Sequence, residues 1–506
     1  MPTVKQLLKQ IALLEEENSV LKSKQGFFTL FKETSSTTDN LLSKKVPYFK
    51  EIVKENVDKT GEPVTTLIKG DNLAALLPLN FEYERKVDVI YIDPPYNTGK
   101  NVYTYKDDFS VRVKDSHSSW LSFMQFRLEL ARPLLRDTGV IMVSVGLKEQ
   151  ARLKMLMDSV FGEDNFISML TFEAMLKNNA KYVSNGNEYM LIYARDIEKL
   201  KIVSPVWRSQ KPSAHFLINK VNEIWEKNNH DVEKTILEIR TLYKEPELEN
   251  IFTNEPGLKM YNQIDSDGRL YRSGDLSSPN NNGGRFEVIN PLINKKVAIP
   301  TRGWVHSEET FKQMINEGLI VWNGTKIPSF KRFLDASLNI VLSDVVKADR
   351  NLPSRTLQKM IGRNKFTFPK NHSILSEWFD YVIPKFRLSE NEPVIVMDFF
   401  AGSGTTAHAV ALLNDKDSGN RETILITSDE NNIPSKVTVP RLKALFTGEW
   451  FAGKMLPSRG QLRVLETRFY SGRNEPKTPW SIVSFSPSYQ AFCREKISYF
   501  RDKKYL

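Results

Sequence analysis

One cysteine, Cys493, stands in a chain of 506 residues. A lone thiol excludes a disulfide framework and a cysteine-ligated zinc site, and it makes a reducing cytoplasm the expected location. Histidine is scarce too. Its six copies, at positions 117, 215, 230, 306, 372 and 408, fall in no HExxH or other metal-ligand spacing, so no metal is expected. No apolar run approaches the ~20 residues of a membrane span. The opening MPTVKQLLKQ lacks the apolar core of a signal peptide. Internal repeats are absent.

What the chain does have is enough apolar residue, 40%, to bury a sizeable core, in a length that suits several domains. It also has positive charge: a net +10 and a pI of about 9.2. Positive surfaces attract phosphate backbones. Residues 451–506 alone hold 11 Lys and Arg against 4 Asp and Glu, interleaved with aromatics such as Tyr470, Trp480 and Tyr489. This basic aromatic C-terminal segment either touches nucleic acid or packs on the core behind a solvated basic face.

Residues 1–25 carry a heptad, with Val4, Ile11 and Asn18 at a and Leu7, Leu14 and Leu21 at d. One polar a position fixes register in a dimeric coiled coil, so a homodimer is expected. From Thr65 onward strands and helices alternate, which argues a parallel sheet with crossover helices. Expected strands are VTTLIKGDN (64–72), VDVIYI (87–92) and GVIMVSV (139–145). Expected helices run from Ser119 to a stop at Gly139 and over 149–162. The alternation lapses over 196–365 and returns at PVIVMDFFAGSGTTAHAVALL (393–413). The economical reading is one α/β domain in two halves, 26–195 and 366–450, separated by an inserted domain.

Two turns carry the chemistry. FAGSGTT (400–406) places Gly402 and Gly404 between a strand and a helix N-terminus, where backbone can approach a ligand closely. No Gly-Lys-Ser/Thr follows, so it is not a P-loop. The glycines fit a nucleotide-containing cofactor or a plain packing turn. In DPPY (93–96), Pro94 and Pro95 freeze the backbone. The Asp93 carboxylate and the Pro94 carbonyl can then be aimed at one point. Two acceptors so placed suit an exocyclic amino group: by holding both N–H bonds they favour a pyramidal nitrogen and localise its lone pair. Tyr96 offers a face for the same base.

Together these motifs make the chain resemble the amino-DNA methyltransferases, in particular the modification subunit of type III restriction–modification systems. The resemblance extends over GDN (70–72), IDPPYNTG (92–99), SWLSFMQFRL (119–128), LMDSVFGEDNFI (156–167), NEYMLIYAR (187–195), RGWVHSEETF (302–311), FPK (368–370) and DFFAGSGTTAHAV (398–410). It implies a Rossmann-like S-adenosylmethionine-dependent methyltransferase sheet, with DPPY before FxGxG and a target-recognition domain inserted between them. It implies adenine N6 methylation of double-stranded DNA, and a restriction helicase–nuclease subunit as partner. Asp93 and Pro94 would hold the amino group, Pro95 would fix the turn, and Tyr96 would stack on the flipped base. Phe400, Gly402 and Gly404 would surround the methionine part of S-adenosyl-L-methionine, with Asp398 and Thr405 beside them. Asp71 would contact the adenosine, Lys370 would close over the carboxylate end, and Glu430 or Asp429 would reach the ribose.

Departures are Asn371 where the family usually has proline, which weakens the helix-start signal, Gly146-Leu147 where relatives often carry a carboxylate, and Asn187 for the histidine of HEY. Rival readings are a cytosine N4-methyltransferase, a nicotinamide-dependent oxidoreductase using the glycine turn, and a specificity protein without catalysis. Asp rather than Ser at position 93 favours adenine.

Overall fold

The computed structural model describes residues 45–98, 116–173, 182–183, 186–210, 212–335, 339–347, 349, 351–470, 489, 491–493 and 495–496. The heptad lies outside the described residues. The chain forms two compact units, one from the flanks up to Trp207 and from Ser343 onward, the other from Arg208 to Leu342. The second unit is shorter at both ends than the insertion expected over 196–365. Helix Ile197–Val203 packs on the main sheet, and Val345–Val346 joins it as a strand.

Among the described residues, the main sheet of the first unit has ten strands: β1 (Val46–Glu51), β2 (Val64–Lys69), β3 (Val87–Ile92), β4 (Leu135–Gly146), β5 (Phe166–Phe172), β6 (Glu188–Ala194), β7 (Val345–Val346), β8 (Val394–Asp398), β9 (Arg421–Thr427) and β10 (Gln461–Tyr470). Their order is β1-β10-β2-β9-β8-β3-β4-β6-β5-β7. Only β1 and β6 run against the rest. From β8 the chain passes to β9 on one side; from β3 it passes to β4 on the other. The order therefore reverses between β8 and β3, the place where open α/β sheets bind ligands.

Helices cover both faces, so the central strands read as nearly unbroken apolar runs. Successive residues of one strand serve opposite cores. Ile68, Ile424 and Ile426 pack with Ala74, Trp120 and Leu128 of α1 (Asn72–Glu82) and α2 (Ser116–Ala131). Leu67 and Leu425 pack with Ala407 and Leu442 on the other face. The one charge in β3, Asp88, is buried and fully engaged. Its oxygens lie 2.7 and 3.3 Å from the buried Arg387 guanidinium, and one accepts the Ile395 N–H of β8 at 2.9 Å. A buried ion pair is tolerated when such bonds satisfy both partners, and this one pins β3 to β8 at the reversal.

The expected helix from Ser119 to Gly139 ends early. α2 stops at Ala131, a 3-10 turn follows over Arg132–Leu134, and β4 starts at Leu135. Gly139 lies inside the strand, at a register shift against Val87 and Val89. A Cβ there would meet the Arg136 carbonyl at 2.9 Å and the Val87 carbonyl at 3.1 Å, so the glycine marks a bulge rather than a helix stop. The helix expected over 149–162 is α3 (Gln150–Phe161), closed by Gly162.

The basic tail enters the core where it is described. β10 lies between β1 and β2 with Leu462, Val464 and Leu465 buried. The Tyr489 hydroxyl donates to the Pro47 carbonyl at 2.6 Å, and burial pushes the Cys493 thiol up to about 11. For these residues the packing reading holds.

The second unit has its own cores. Helices Pro212–Lys227 and Val232–Leu242 cover one cluster with Trp225 and Ile239. Beside a short four-stranded sheet, a second cluster forms around Trp304 and Phe311. Strand Arg208–Gln210 pairs with Asn339–Val341, so the chain's entry and exit are adjacent.

Candidate active site

Along the carboxyl ends of β2, β9, β8, β3 and β4 lie, in spatial order, Asp71, Ser428 with Glu430, the 398–404 turn, DPPY and Gly146. The turns enclose a cavity of about 410 Å³. Asp93, Pro94, Pro95, Tyr96, Asp71, Lys370, Asp398, Phe400, Gly402, Thr405 and Glu430 all line it, although they span more than 300 residues of sequence. Gly404 and Asp429 are not in the lining.

The DPPY turn is clamped from below. Trp120 Nε1 donates to the Pro95 carbonyl at 2.6 Å. Asn97, at φ 54°, donates its amide to the fully buried Glu149 at 2.6 Å, and Lys148 Nζ reaches the Asn97 carbonyl at 2.5 Å. Asp93 Oδ1 accepts the Tyr96 hydroxyl at 2.8 Å and lies 3.3 Å from Lys370 Nζ. Lys370 also donates to the Tyr96 oxygen at 2.5 Å and to Glu188. Burial raises the Asp93 carboxyl above the usual carboxylate range, the Lys370 ammonium opposes this, and Glu188 adds to it. Desolvation pulls Lys370 down, but Asp93 and Glu188 outweigh it and the ammonium is held above its usual value.

The 398–404 turn is equally constrained. Asp398 is buried, with the Phe400 N–H on Oδ1 at 2.9 Å and the Thr406 hydroxyl on Oδ2 at 2.5 Å. Gly402 (φ 47°) and Gly404 (φ 78°) take left-handed backbone, which glycine adopts without strain. Gly404 is the N-cap of α6 (Thr405–Asp417), and the Thr438 hydroxyl donates to the Gly402 carbonyl at 2.6 Å. Thr405 lines the cavity and also braces the loop: its hydroxyl bonds Ser403 Oγ at 3.1 Å and accepts from Arg441 Nη1 at 3.0 Å. Arg441, of α7 (Val439–Thr447), is fully buried and also donates to the Ser403 carbonyl and hydroxyl. Its Nη2 pairs with His408 Nδ1 at 3.1 Å, and His408 stacks on His372 with ring centroids 4.2 Å apart. Burial drives both imidazoles down, His372 to about 4.

Burial pushes Asp398 up to about 7, while the Thr406 hydroxyl and the Phe400 N–H pull it down. The folded chain then keeps a proton that the unfolded chain releases from about pH 4 upward. The stability tied to that proton is complete below this window and lost as pH rises through about 7. Asp398→Asn should therefore gain stability relative to wild type between about pH 4 and about pH 8, by up to about 4 kcal/mol. Denaturant midpoints across that range test it; parallel curves would refute it.

Several lining residues escaped the sequence. Asp71 is not among them: it was expected at the site, and it caps α1, accepting from the Leu73 and Ala74 N–H groups at 2.9 and 3.3 Å. Its neighbour Asn72 bonds the Phe399 carbonyl at 2.7 Å and the Arg127 guanidinium at 2.6 Å, tying GDN to FxGxG and to α2. Phe123 of α2 lies 5.8 Å from the Phe400 ring. Glu188 stands beside Asn187, the position that matches the family's histidine, and its sequence signal is a charge opening the otherwise apolar run EYMLIYA. Asn371, without the family's proline, starts α5 (His372–Val382) by accepting the Ser373 and Ile374 N–H groups at 3.0 and 3.3 Å.

A family model described as DNA methylase matches residues 87–434. The chain belongs to the DNA methylase family. Among curated relatives it is similar to the Mod subunit of the type III restriction-modification enzyme EcoP15I from Escherichia coli, 30% identical over 72% of this chain and 58% of the relative. It is also similar to the StyLTI Mod subunit from Salmonella typhimurium, 30% identical over 72% of this chain and 52% of the relative. The type II methyltransferase M.KpnI from Klebsiella pneumoniae is 28% identical over 74% of this chain and 83% of the relative. The chain spans about half the length of the type III relatives it matches. A solved DNA modification methylase from Thermus thermophilus, described as putative and complexed with S-adenosyl-L-methionine, covers 81% of this chain and all of its own at 9% identity and a TM-score of 0.34. In this DNA methylase no described helix is long and apolar enough to cross a membrane.

Proposed function

We propose that the chain is an adenine-specific DNA methyltransferase that moves the methyl group of S-adenosylmethionine to the N6 amino group of an adenine extruded from double-stranded DNA. We assign it to the modification subunit of a type III restriction–modification system. The observation that carries this reading is the meeting of Asp93 and the 398–404 turn in one cavity at the strand-order reversal.

The lining suits the cofactor. Phe123, Phe400 and Ile426 offer apolar walls, Glu430 a carboxylate for ribose hydroxyls, and Gly402 open backbone. Glu430 is preferred to Asp429 for that role because it lines the cavity. The strand that Glu430 follows is two places from the strand that Asp93 follows, about 10 Å at ~4.8 Å per strand. That separation suits a nucleoside at one end and a reacting centre at the other. When bound, the cofactor supplies a methyl group already activated on a sulfonium, so the chemistry calls for neither a metal nor a covalent nucleophile.

The protein's own work is at the acceptor. Asp93 and the Pro94 carbonyl take the two amino hydrogens and free the nitrogen lone pair for in-line attack. Extruding the base costs a few kcal/mol, and stacking on Tyr96 offsets about 1–3 kcal/mol of it. The unit Arg208–Leu342 reads the target sequence, residues 1–25 pair two copies, and a restriction helicase–nuclease is the partner.

The test is to incubate the protein with radiolabelled S-adenosylmethionine and unmethylated duplex DNA and to identify the modified base. N6-methyladenine is expected. Label on cytosine, or none from folded protein that binds the cofactor, would overturn the assignment.

A further inference from the structure

One carboxylate in the DPPY network is unused by methyl transfer as just described. Glu188 opens β6 opposite Gly146, the last residue of β4. A Cβ at Gly146 would sit 3.0 Å from the Tyr96 ring, so the bare position is what lets the ring lie across the strand end. The Tyr96 hydroxyl thereby comes between two carboxylates, 2.8 Å from Asp93 Oδ1 and 3.4 Å from Glu188 Oε2. Lys370 contacts all three groups. Exposure rises along the series, from 28% for the Asp93 side chain to 46% for that of Glu188. The inner carboxylate faces the reacting centre and the outer one faces water.

We propose that Asp93, the Tyr96 hydroxyl and Glu188 form a proton exit that carries the proton lost by the methylated amino group to solvent. The proposal rests on the functional reading above. As the nitrogen–methyl bond forms, the sulfur–methyl bond breaks, and its electron pair stays on a neutral thioether. The nitrogen then carries a methyl, two hydrogens and a positive charge. One N–H bond breaks, its electron pair returns to nitrogen, and the proton goes to Asp93. After a half-turn of the carboxyl group, that proton passes to the Tyr96 oxygen while Tyr96 gives its own to Glu188. Asp93 is ionised again, Tyr96 is unchanged, and Glu188 releases the proton to water. Lys370 stays cationic throughout and balances the charge between the carboxylates.

The experiment is single-turnover methylation of duplex DNA by the full chain from about pH 6 to about pH 9, for wild type, Glu188→Gln, Tyr96→Phe and the double variant. Cofactor affinity is measured in parallel. Each single substitution should lower the rate at neutral pH by about tenfold or more. The rate should then climb with pH as hydroxide replaces the relay, while cofactor affinity holds. Because the groups act in series, the double variant should be no slower than the slower single one. Wild-type rates and pH profiles in the single variants, or losses that multiply in the double one, would overturn the relay while leaving the functional reading standing. A wild-type chain that binds cofactor but methylates no DNA would overturn both.

Discussion

Asp93→Ala should abolish methyl transfer, with a loss of at least about 10²–10³-fold, while the protein stays folded and still binds its cofactor. Removing one preorganised electrostatic contact to a reacting group typically has an effect of that size. On the function proposed above, the contact would also hold the amino group in place. Folding should tolerate the change because Asp93 is a cost to the native state: burial raises its carboxyl, with Lys370 only partly relieving it. Without Asp93, Lys370 keeps Glu188 and the Tyr96 hydroxyl as partners. Unchanged melting and cofactor titration beside lost transfer would establish the role; wild-type transfer by the variant would eliminate it. The raised carboxyl also sets a sign. Activity should fail on the acid side at a higher pH than an exposed aspartate would dictate, since the protonated form loses an acceptor.

Arg441→Met should lower stability by about 2–4 kcal/mol and weaken cofactor binding at least about tenfold. The side chain is buried and donates to the Ser403 carbonyl and hydroxyl, to Thr405 and to His408. Methionine fills much of the volume but removes the shared donor; the Ser403 and Thr405 hydroxyls keep their mutual bond, and each remaining acceptor that water cannot reach costs roughly 1–3 kcal/mol. Discharging a buried cation offsets part of that sum. Because Ser403 and Thr405 belong to the FAGSGTT turn, the damage should appear in cofactor affinity and not only in denaturation. Denaturant unfolding and cofactor calorimetry measure the two effects. A variant with lowered stability and unchanged affinity would show that Arg441 supports the fold but not the turn.

Most of the fold was legible because its strands are covered on both faces and so read as apolar runs ending in Gly, Asp or Pro. The error at α2 has a physical cause. Gly139 looks like a helix stop, but only the packed sheet reveals that a Cβ would strike the Val87 carbonyl. The two turns stood out in the sequence because DPPY carries adjacent prolines and FAGSG carries two glycines, both of which take left-handed backbone. What escaped were residues whose role depends on a partner far along the chain. Glu188 acquires meaning from Lys370, 182 residues later. Arg441 acquires it from a loop 36 to 38 residues earlier. Thr405 lines the cavity, but its bond to Arg441 has no signal in the sequence. No local pattern encodes such pairings.

The short pairing of Arg208–Gln210 with Asn339–Val341 has a consequence for inheritance. A segment whose two ends meet, and which contains its own cores, can be replaced by recombination at its two ends without breaking the sheet built from the flanking residues. On the function proposed here, a new target preference would be acquired as a single cassette of 135 residues, with the methyl-transfer chemistry left untouched.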